Sequence, residues 1–238
     1  GQFTMETKLN PLSAPISLEK FAYDAIKNAI ISFQLVPGQS LVESELASRL
    51  GVSKTPVRDA LLRLEREGFV KKIAYTGTYV SEINRKNIAD IFMIRAHLEG
   101  LAARLVSGKF SPEQILQAQN YINLMDEASK KGEIKEASNQ NKLFHDLIIN
   151  RSESEWLIQI LSNLDDHLKR YRILSNYQSG RLEKSTQEHQ EVLDAIGRKD
   201  PDTAEKFMRQ HIISVLEDLE SQDDFEILVS QASQQFEN

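Results

Sequence analysis

Two short helix-forming segments lie side by side in the stretch LASRLGVSKTPVRDALLRL, residues 46–64. Gly51 follows the first segment in the position where a left-handed residue ends a helix. Pro56 falls in the first turn of the second segment, where its missing N–H is not needed, and Ser53 or Thr55 is expected to cap that helix. The second helix has an apolar stripe of Val57, Ala60, Leu61 and Leu64. Two short helices joined by a glycine-containing turn predict a helix-turn-helix.

The second of these helices begins with side chains that suit an anion. Ser53 and Thr55 supply hydroxyl groups, and Lys54 and Arg58 supply positive charge. Residues 49–72 carry seven basic and three acidic side chains, although the formal net charge of the chain is −6. The positive charge of this segment favours contact with nucleic acid at the helix-turn-helix. The rest of the chain is negatively charged, which favours repulsion from nucleic acid.

A β-hairpin is predicted directly after this helix. The segments FVKKIAY and TYVSEI flank a turn at Thr76-Gly77. A hairpin in this place is the wing of a winged helix, and glycine at its tip would let the backbone approach a phosphate or the minor groove. An amphipathic helix capped by Ser17 precedes the motif. We therefore assign residues 1–83 to a winged-helix DNA-binding domain, with a three-helix bundle and an unrelated hairpin as the alternative.

The string LVESELASRLGVSKTPVRDALLRLEREGFV, followed by the TGTYV wing, resembles the winged-helix domain of GntR-family bacterial transcription regulators over residues 17–83. The resemblance implies contacts to the DNA groove and phosphates by five residues, Ser44, Lys54, Thr55, Arg58 and Gly77, to which we add the hydroxyl of Ser53. Lys54 stands where relatives often have Arg, so a point-charge contact is expected there rather than a bidentate hydrogen bond to guanine.

The remaining residues, 84–238, form successive amphipathic stretches without a strand pattern. Six helices are predicted, near residues 85–107, 111–131, 133–150, 153–176, 181–198 and 200–221, with a seventh at 224–236. Ser111-Pro112-Glu113-Gln114 predicts a capping box, and Asp200-Pro201-Asp202 predicts a second cap. The predicted fold class is mainly α, a winged helix-turn-helix followed by an all-α bundle of six or seven helices.

Three of the five histidines are predicted to face the interior of this bundle. His145, His189 and His211 each lie on the apolar face of a different predicted helix. A single core histidine is explained by a hydrogen bond to a neighbour. Three imidazoles in one core are costly without partners, whereas one metal ion would satisfy all of them. His167 is assigned to a solvated or pocket-rim face, and His97 is given no role.

The segments RAHLE, NKLFH, EHQEVLDAI and AEKFMRQHI resemble the FCD ligand-binding domain of the FadR-type branch of the same family, over about residues 87–216. The resemblance implies a divalent transition metal ion, zinc or nickel, on four ligands, Asn141, His145, His189 and His211. Asn141 stands where relatives often have Asp, which leaves a weaker ligand and one more positive charge. An ion with open positions can take a small carboxylate effector, for which Arg95 is the candidate second anchor. A structural ion pair between Arg95 and Glu99 is the alternative.

The composition narrows the class of protein. The chain has no cysteine and no apolar run near the ~18 residues of a membrane span, and its N-terminus lacks a signal-peptide pattern. We therefore expect a cytoplasmic protein without a membrane partner. The predicted function is a homodimeric, metabolite-responsive repressor that binds a pseudo-palindromic double-stranded DNA operator and is not an enzyme. Two alternatives stay open, a metal-dependent hydrolase and a constitutive DNA-binding protein with a structural metal site.

Overall fold

The structure is a computed structural model that describes residues 17–83, 85–176 and 180–221. The described chain contains, in order, α1 (Leu18–Ile31), α2 (Glu43–Leu50), α3 (Lys54–Arg66), β1 (Val70–Ile73), β2 (Gly77–Val80), α4 (Arg85–Val106), α5 (Pro112–Lys130), α6 (Ile134–Arg151), α7 (Glu155–Asn176), α8 (Arg181–Gly197) and α9 (Pro201–Glu220). A small hairpin between two sets of helices confirms the predicted fold class. Within these residues, no helix combines the length and the apolar character needed to cross a membrane.

The chain divides into two compact units, of which the first contains residues 17–30 and 38–81. The predicted helix-turn-helix is α2 and α3. Gly51 ends α2 with a left-handed φ of 68°, and its N–H points back to the last carbonyl groups of that helix. Ser53 occupies the N-cap of α3, as predicted, but its side chain accepts no capping hydrogen bond, and Thr55 lies inside the helix. The Ser53 hydroxyl therefore stays exposed at the start of α3.

The hairpin differs from its prediction in the position of its turn. Strands β1 and β2 are antiparallel, and Gly77 opens β2 opposite Ile73. The loop consists of residues 74–76, and Tyr75 lies there with a φ of 62°. The predicted turn is therefore confirmed at Thr76 and wrong at Gly77, and the fully exposed Tyr75 lies at the tip. Residues 39–41 add backbone hydrogen bonds to the other edge of β2, a pairing that the sequence did not indicate.

The second unit contains residues 31–37 and, among the described residues after the hairpin, 82–221. Its six helices begin and end within two residues of the predicted bounds. Both predicted caps are confirmed. Ser111 and Gln114 form a reciprocal capping box, and the Asp200 side chain accepts from the Thr203 N–H. The seventh predicted helix, 224–236, lies outside the described residues. Helix α4 packs along α9, and α5 packs against α6 and α8, around one large apolar core.

Candidate metal centre and nucleic-acid interface

Three imidazoles meet in the core of the second unit. His145 comes from α6, His189 from α8 and His211 from α9, and each is at most 3% exposed. The Nε2 atom of His189 lies 3.1 Å from Nε2 of His145 and 3.1 Å from Nε2 of His211. The three histidines predicted from the sequence are therefore brought together through the same ring nitrogen. His97 is exposed and His167 is half-buried, and neither belongs to the cluster.

Two carboxylates fix the orientation of two of these rings. Glu99 Oε2 lies 2.5 Å from His145 Nδ1, and Glu188 Oε2 lies 2.7 Å from His211 Nδ1. An ionised carboxylate can only accept, so each Nδ1 carries the proton and donates it. The Nε2 atoms of both rings are then unprotonated, and their lone pairs point toward Nε2 of His189. His189 Nε2 carries one proton at most, so it can donate a hydrogen bond to only one of these two lone pairs.

A buried arginine backs each carboxylate. Arg95 Nε donates to Glu99 Oε1 at 2.5 Å, and the Arg95 side chain is 2% exposed. Arg181 donates to Glu188 and, through Nη1, to Asp218 at 2.5 Å. The result is a pair of Arg–Glu–His chains, one on each side of His189. Partners of this kind set the tautomer of a metal-binding histidine and raise its basicity.

The protonation states of the cluster suit metal binding. Burial lowers the pKa of His211 to about 4, and it also lowers the pKa of His145 and, further, of His189. Burial alone would raise the pKa of Glu99, but the charge of Arg95 and the hydrogen bonds from His145 and Arg95 outweigh it and hold that pKa well below the usual range. At neutral pH the imidazoles are therefore neutral and the carboxylate is ionised, which are the forms that coordinate a metal and support its ligands.

The donor set passes a test of fit for one ion. Two nitrogens that bind one ion at about 2.1 Å lie about 3.0 Å apart at right angles and about 3.4 Å apart at the tetrahedral angle, and both 3.1 Å distances from His189 Nε2 fall within this span. Asn141 lies one turn before His145 on α6 and is 7% exposed. Its Oδ1 is buried and accepts no hydrogen bond from any described residue. A buried oxygen without a donor is unusual, and a cation would satisfy it.

The geometry of Arg95 is compatible with both interpretations drawn from the sequence, a structural ion pair and an anchor for a carboxylate effector. It forms the ion pair with Glu99 that was the structural alternative. That pair occupies only Nε, and within the described chain neither Nη atom of Arg95 has a hydrogen bond. Glu99 also lines a cleft of about 220 Å³ between α6 and α7, together with charged residues that include Lys142 and Arg172 and apolar residues such as Leu161.

The residues predicted to contact DNA all belong to the first unit and are exposed, namely Ser44 on α2, Ser53 before α3, Lys54, Thr55 and Arg58 on α3, and Gly77 in the hairpin. Opposite to them on α3, Val57, Ala60, Leu61 and Leu64 are buried, as their spacing predicts. The start of α3 therefore offers solvent a group of hydroxyl and cationic side chains. Within the described part of the chain, Arg58 is the one member of this group whose side chain has a partner, the carboxylate of Glu43.

Both units match known protein families. Residues 18–80 match the bacterial regulatory proteins of the gntR family, and residues 90–214, more than half of the chain, match the FCD domain. The chain belongs to the GntR family. It is of the branch that carries an FCD domain, and it is a DNA-binding transcription regulator rather than an enzyme. The hydrolase alternative is therefore wrong.

Relatives agree with this membership along most of their length. The GntR regulator is 28% identical to the uncharacterized HTH-type transcriptional regulator YdhC of Bacillus subtilis, over 81% of this chain and 84% of that one. It is 25% identical to the HTH-type transcriptional repressor RspR of Escherichia coli, over 90% of this chain and 92% of that one. The solved structure of E. coli McbR/YncC has 25% identity, covers 85% of this chain and 98% of its own, and superposes with a TM-score of 0.65.

Sequence reasoning missed the two supporting carboxylates of this regulator. Glu99 was noted only as a partner for Arg95, four residues earlier. Glu188 precedes His189 in the sequence but hydrogen-bonds to His211, which lies on another helix. No local pattern indicates such a contact, because it depends on how α8 and α9 pack.

Proposed function

We propose that this regulator is a metabolite-responsive repressor whose FCD domain holds one divalent transition metal ion, zinc or nickel. The proposed ligands are Asn141, His145, His189 and His211. The observation that carries the proposal is the meeting of three Nε2 atoms, two of which are kept unprotonated by Glu99 and Glu188. When bound, the ion would supply a Lewis-acidic position for an anionic group. The repressor RspR, similar over most of the chain, supports the direction of regulation.

The proposed effector is a small carboxylate. A divalent ion on neutral ligands brings two positive charges into a buried site, which favours an anionic ligand. Arg95 is the proposed second anchor, since its side chain is buried, its Nε is held by Glu99, and its Nη atoms have no acceptor among the described residues. A guanidinium in this state is suited to bidentate hydrogen bonding to a carboxylate.

The proposed mode of DNA binding is that of a homodimer on a pseudo-palindromic operator in the cytoplasm. Residues 1–83 would form the DNA-binding domain and residues 84–238 the effector and dimerisation domain. One helix-turn-helix reads one half-site, so useful affinity normally needs two. The exposed hydroxyl and cationic side chains at the start of α3 support contact between this helix and the groove, and Gly77 would contact the backbone from the wing.

The experiment compares the parent protein with His189→Ala and with His97→Ala, a matched control on an exposed histidine outside the cluster. Elemental analysis should find about one metal ion per chain in the parent and the control and little in His189→Ala. DNA duplexes selected from a random library are then bound in the presence of a panel of small carboxylic acids. At least one acid should change DNA binding by the parent and not by His189→Ala.

Two results would contradict parts of the proposal. A parent without metal, whose melting temperature is unchanged by added zinc or nickel, would make the three histidines ordinary core residues. Bound metal without any response to the carboxylates would favour the constitutive DNA-binding protein with a structural metal site.

A further inference from the structure

Arg58, on the exposed side of α3, is held by a carboxylate from the neighbouring helix. Its Nε lies 3.2 Å from Glu43 Oε1 and 3.1 Å from Glu43 Oε2, and its Nη2 lies 2.8 Å from Oε2. These contacts occupy one edge of the planar guanidinium. The other edge, made by Nη1 and the outer N–H of Nη2, has no hydrogen bond to any residue that the structure describes, and 58% of the side chain is exposed.

Glu43 lies where a negative charge should weaken binding to DNA rather than strengthen it. The pKa of Glu43 is lowered, first by the hydrogen bond from Arg58 and further by the charges of Lys72 and Lys54, so this carboxylate is ionised at neutral pH. It therefore lies among the cations that are expected to face DNA. A negative charge there weakens attraction to the phosphate backbone, which is the main source of affinity that does not depend on sequence.

The two free N–H donors of Arg58 match the two acceptors that guanine offers in the major groove. Guanine offers two acceptors, O6 and N7, side by side in the major groove, and two parallel N–H donors of one arginine bind both. A free arginine loses rotamer freedom when it binds, whereas one already held along its other edge loses less. Lys54, in the first turn of the same helix, cannot make this contact, because its ammonium group is a single point of charge.

We propose that Glu43 is a positioning residue, which holds Arg58 edge-on so that Arg58 reads one guanine in each half of the operator. The proposal rests on the proposed function in one respect, that the exposed side of α3 enters the groove. Glu43 then contributes to discrimination between sequences and lowers general attraction to DNA. A bidentate arginine–guanine pair discriminates against the wrong base by roughly 5- to 150-fold, and a large part of that factor should depend on Glu43.

The test uses the whole chain in five forms, namely the parent, Glu43→Gln, Arg58→Lys, Glu45→Gln and the double variant that combines Glu43→Gln with Arg58→Lys. Glu45 is the matched control, because it is an exposed acid in the same first turn of α2. Each form is bound to a random-sequence duplex library, and the bound DNA is sequenced. Affinities for the sequence that the parent selects and for a scrambled duplex are then measured.

The parent should enrich guanine at one position of each half-site. Glu43→Gln and Arg58→Lys should both lose that enrichment, and the double variant should lose no more than Arg58→Lys alone. Both Glu→Gln variants should bind the scrambled duplex as well as the parent or better, but Glu45→Gln should keep the guanine preference.

Each other outcome is decisive. A guanine preference that survives Glu43→Gln but not Arg58→Lys would overturn the positioning role of Glu43. A preference that survives Arg58→Lys would show that Arg58 does not read the base. If the parent enriches no sequence at all, the proposed contact between α3 and DNA fails, and the inference fails with it.

Discussion

Replacing Glu188 by Gln should weaken metal binding although Glu188 is not a proposed ligand. Its Oε2 accepts the Nδ1 proton of His211 at 2.7 Å, and its Oε1 accepts from Ser214 at 2.7 Å. Gln can still accept from His211, but without the negative charge that makes Nε2 more basic. The loss of such a supporting group typically lowers metal affinity by about 10- to 100-fold.

The size of the effect follows from linkage. With free zinc at 100 times the dissociation constant of the parent, binding stabilises the folded protein by about 2.7 kcal/mol. The same zinc concentration would be about 10 times the dissociation constant of the variant, or about equal to it, and would stabilise it by only about 1.4 or 0.4 kcal/mol. For a chain of this size, these values correspond to roughly 5–11 °C for the parent and roughly 1–6 °C for the variant.

The measurement is the rise in melting temperature between chelator and buffered zinc, taken separately for each protein. This difference removes the effect of the substitution on the metal-free form, in which Arg181 loses one of its partners. Glu183→Gln is the control, because Glu183 lies on the same helix, is exposed, and among the described residues accepts a side-chain hydrogen bond from Ser129 alone. If Glu188→Gln shows the same zinc-dependent rise as the parent, the support given to His211 by Glu188 has no influence on the metal. The refutation requires that zinc stabilise the parent in the same experiment.

Three further results are expected. Asn141→Asp should bind the ion more tightly than the parent, since a carboxylate replaces an amide oxygen, and competition with a zinc indicator dye would measure this. Chelation should speed amide hydrogen exchange in α6, α8 and α9 and leave α1–α3 unchanged, because no proposed ligand lies in the winged helix; equal changes in both units would contradict the ligand set. Lys54→Ala should weaken binding to specific and scrambled duplexes alike and lower the slope of log affinity against log salt by about 0.9, whereas a change confined to one sequence would indicate base reading by Lys54.

Features governed by local sequence could be predicted, and features governed by packing could not. The caps at Ser111 and Asp200 depend on residues three positions apart, so their patterns were sufficient. The apolar stripes placed three histidines inside the bundle. The turn of the wing was placed too far along the chain, because its loop contains Tyr75 with a φ of 62°, a residue type that gives no sign of positive φ, whereas Gly77, with a φ of 144°, opens β2. The pairing of Arg58 with Glu43 joins two helices and has no signature in either one.

The sequence separation of the three histidines affects how long the folded protein survives. His145 and His189 are 44 residues apart, and His189 and His211 are 22 apart, so all three can hold an ion only after α6, α8 and α9 have docked. An interaction that forms this late slows unfolding more than it speeds folding. The metal-loaded chain should then outlast the empty chain when proteases compete with reclosing, so the supply of metal would set the lifetime of the regulator as well as its response.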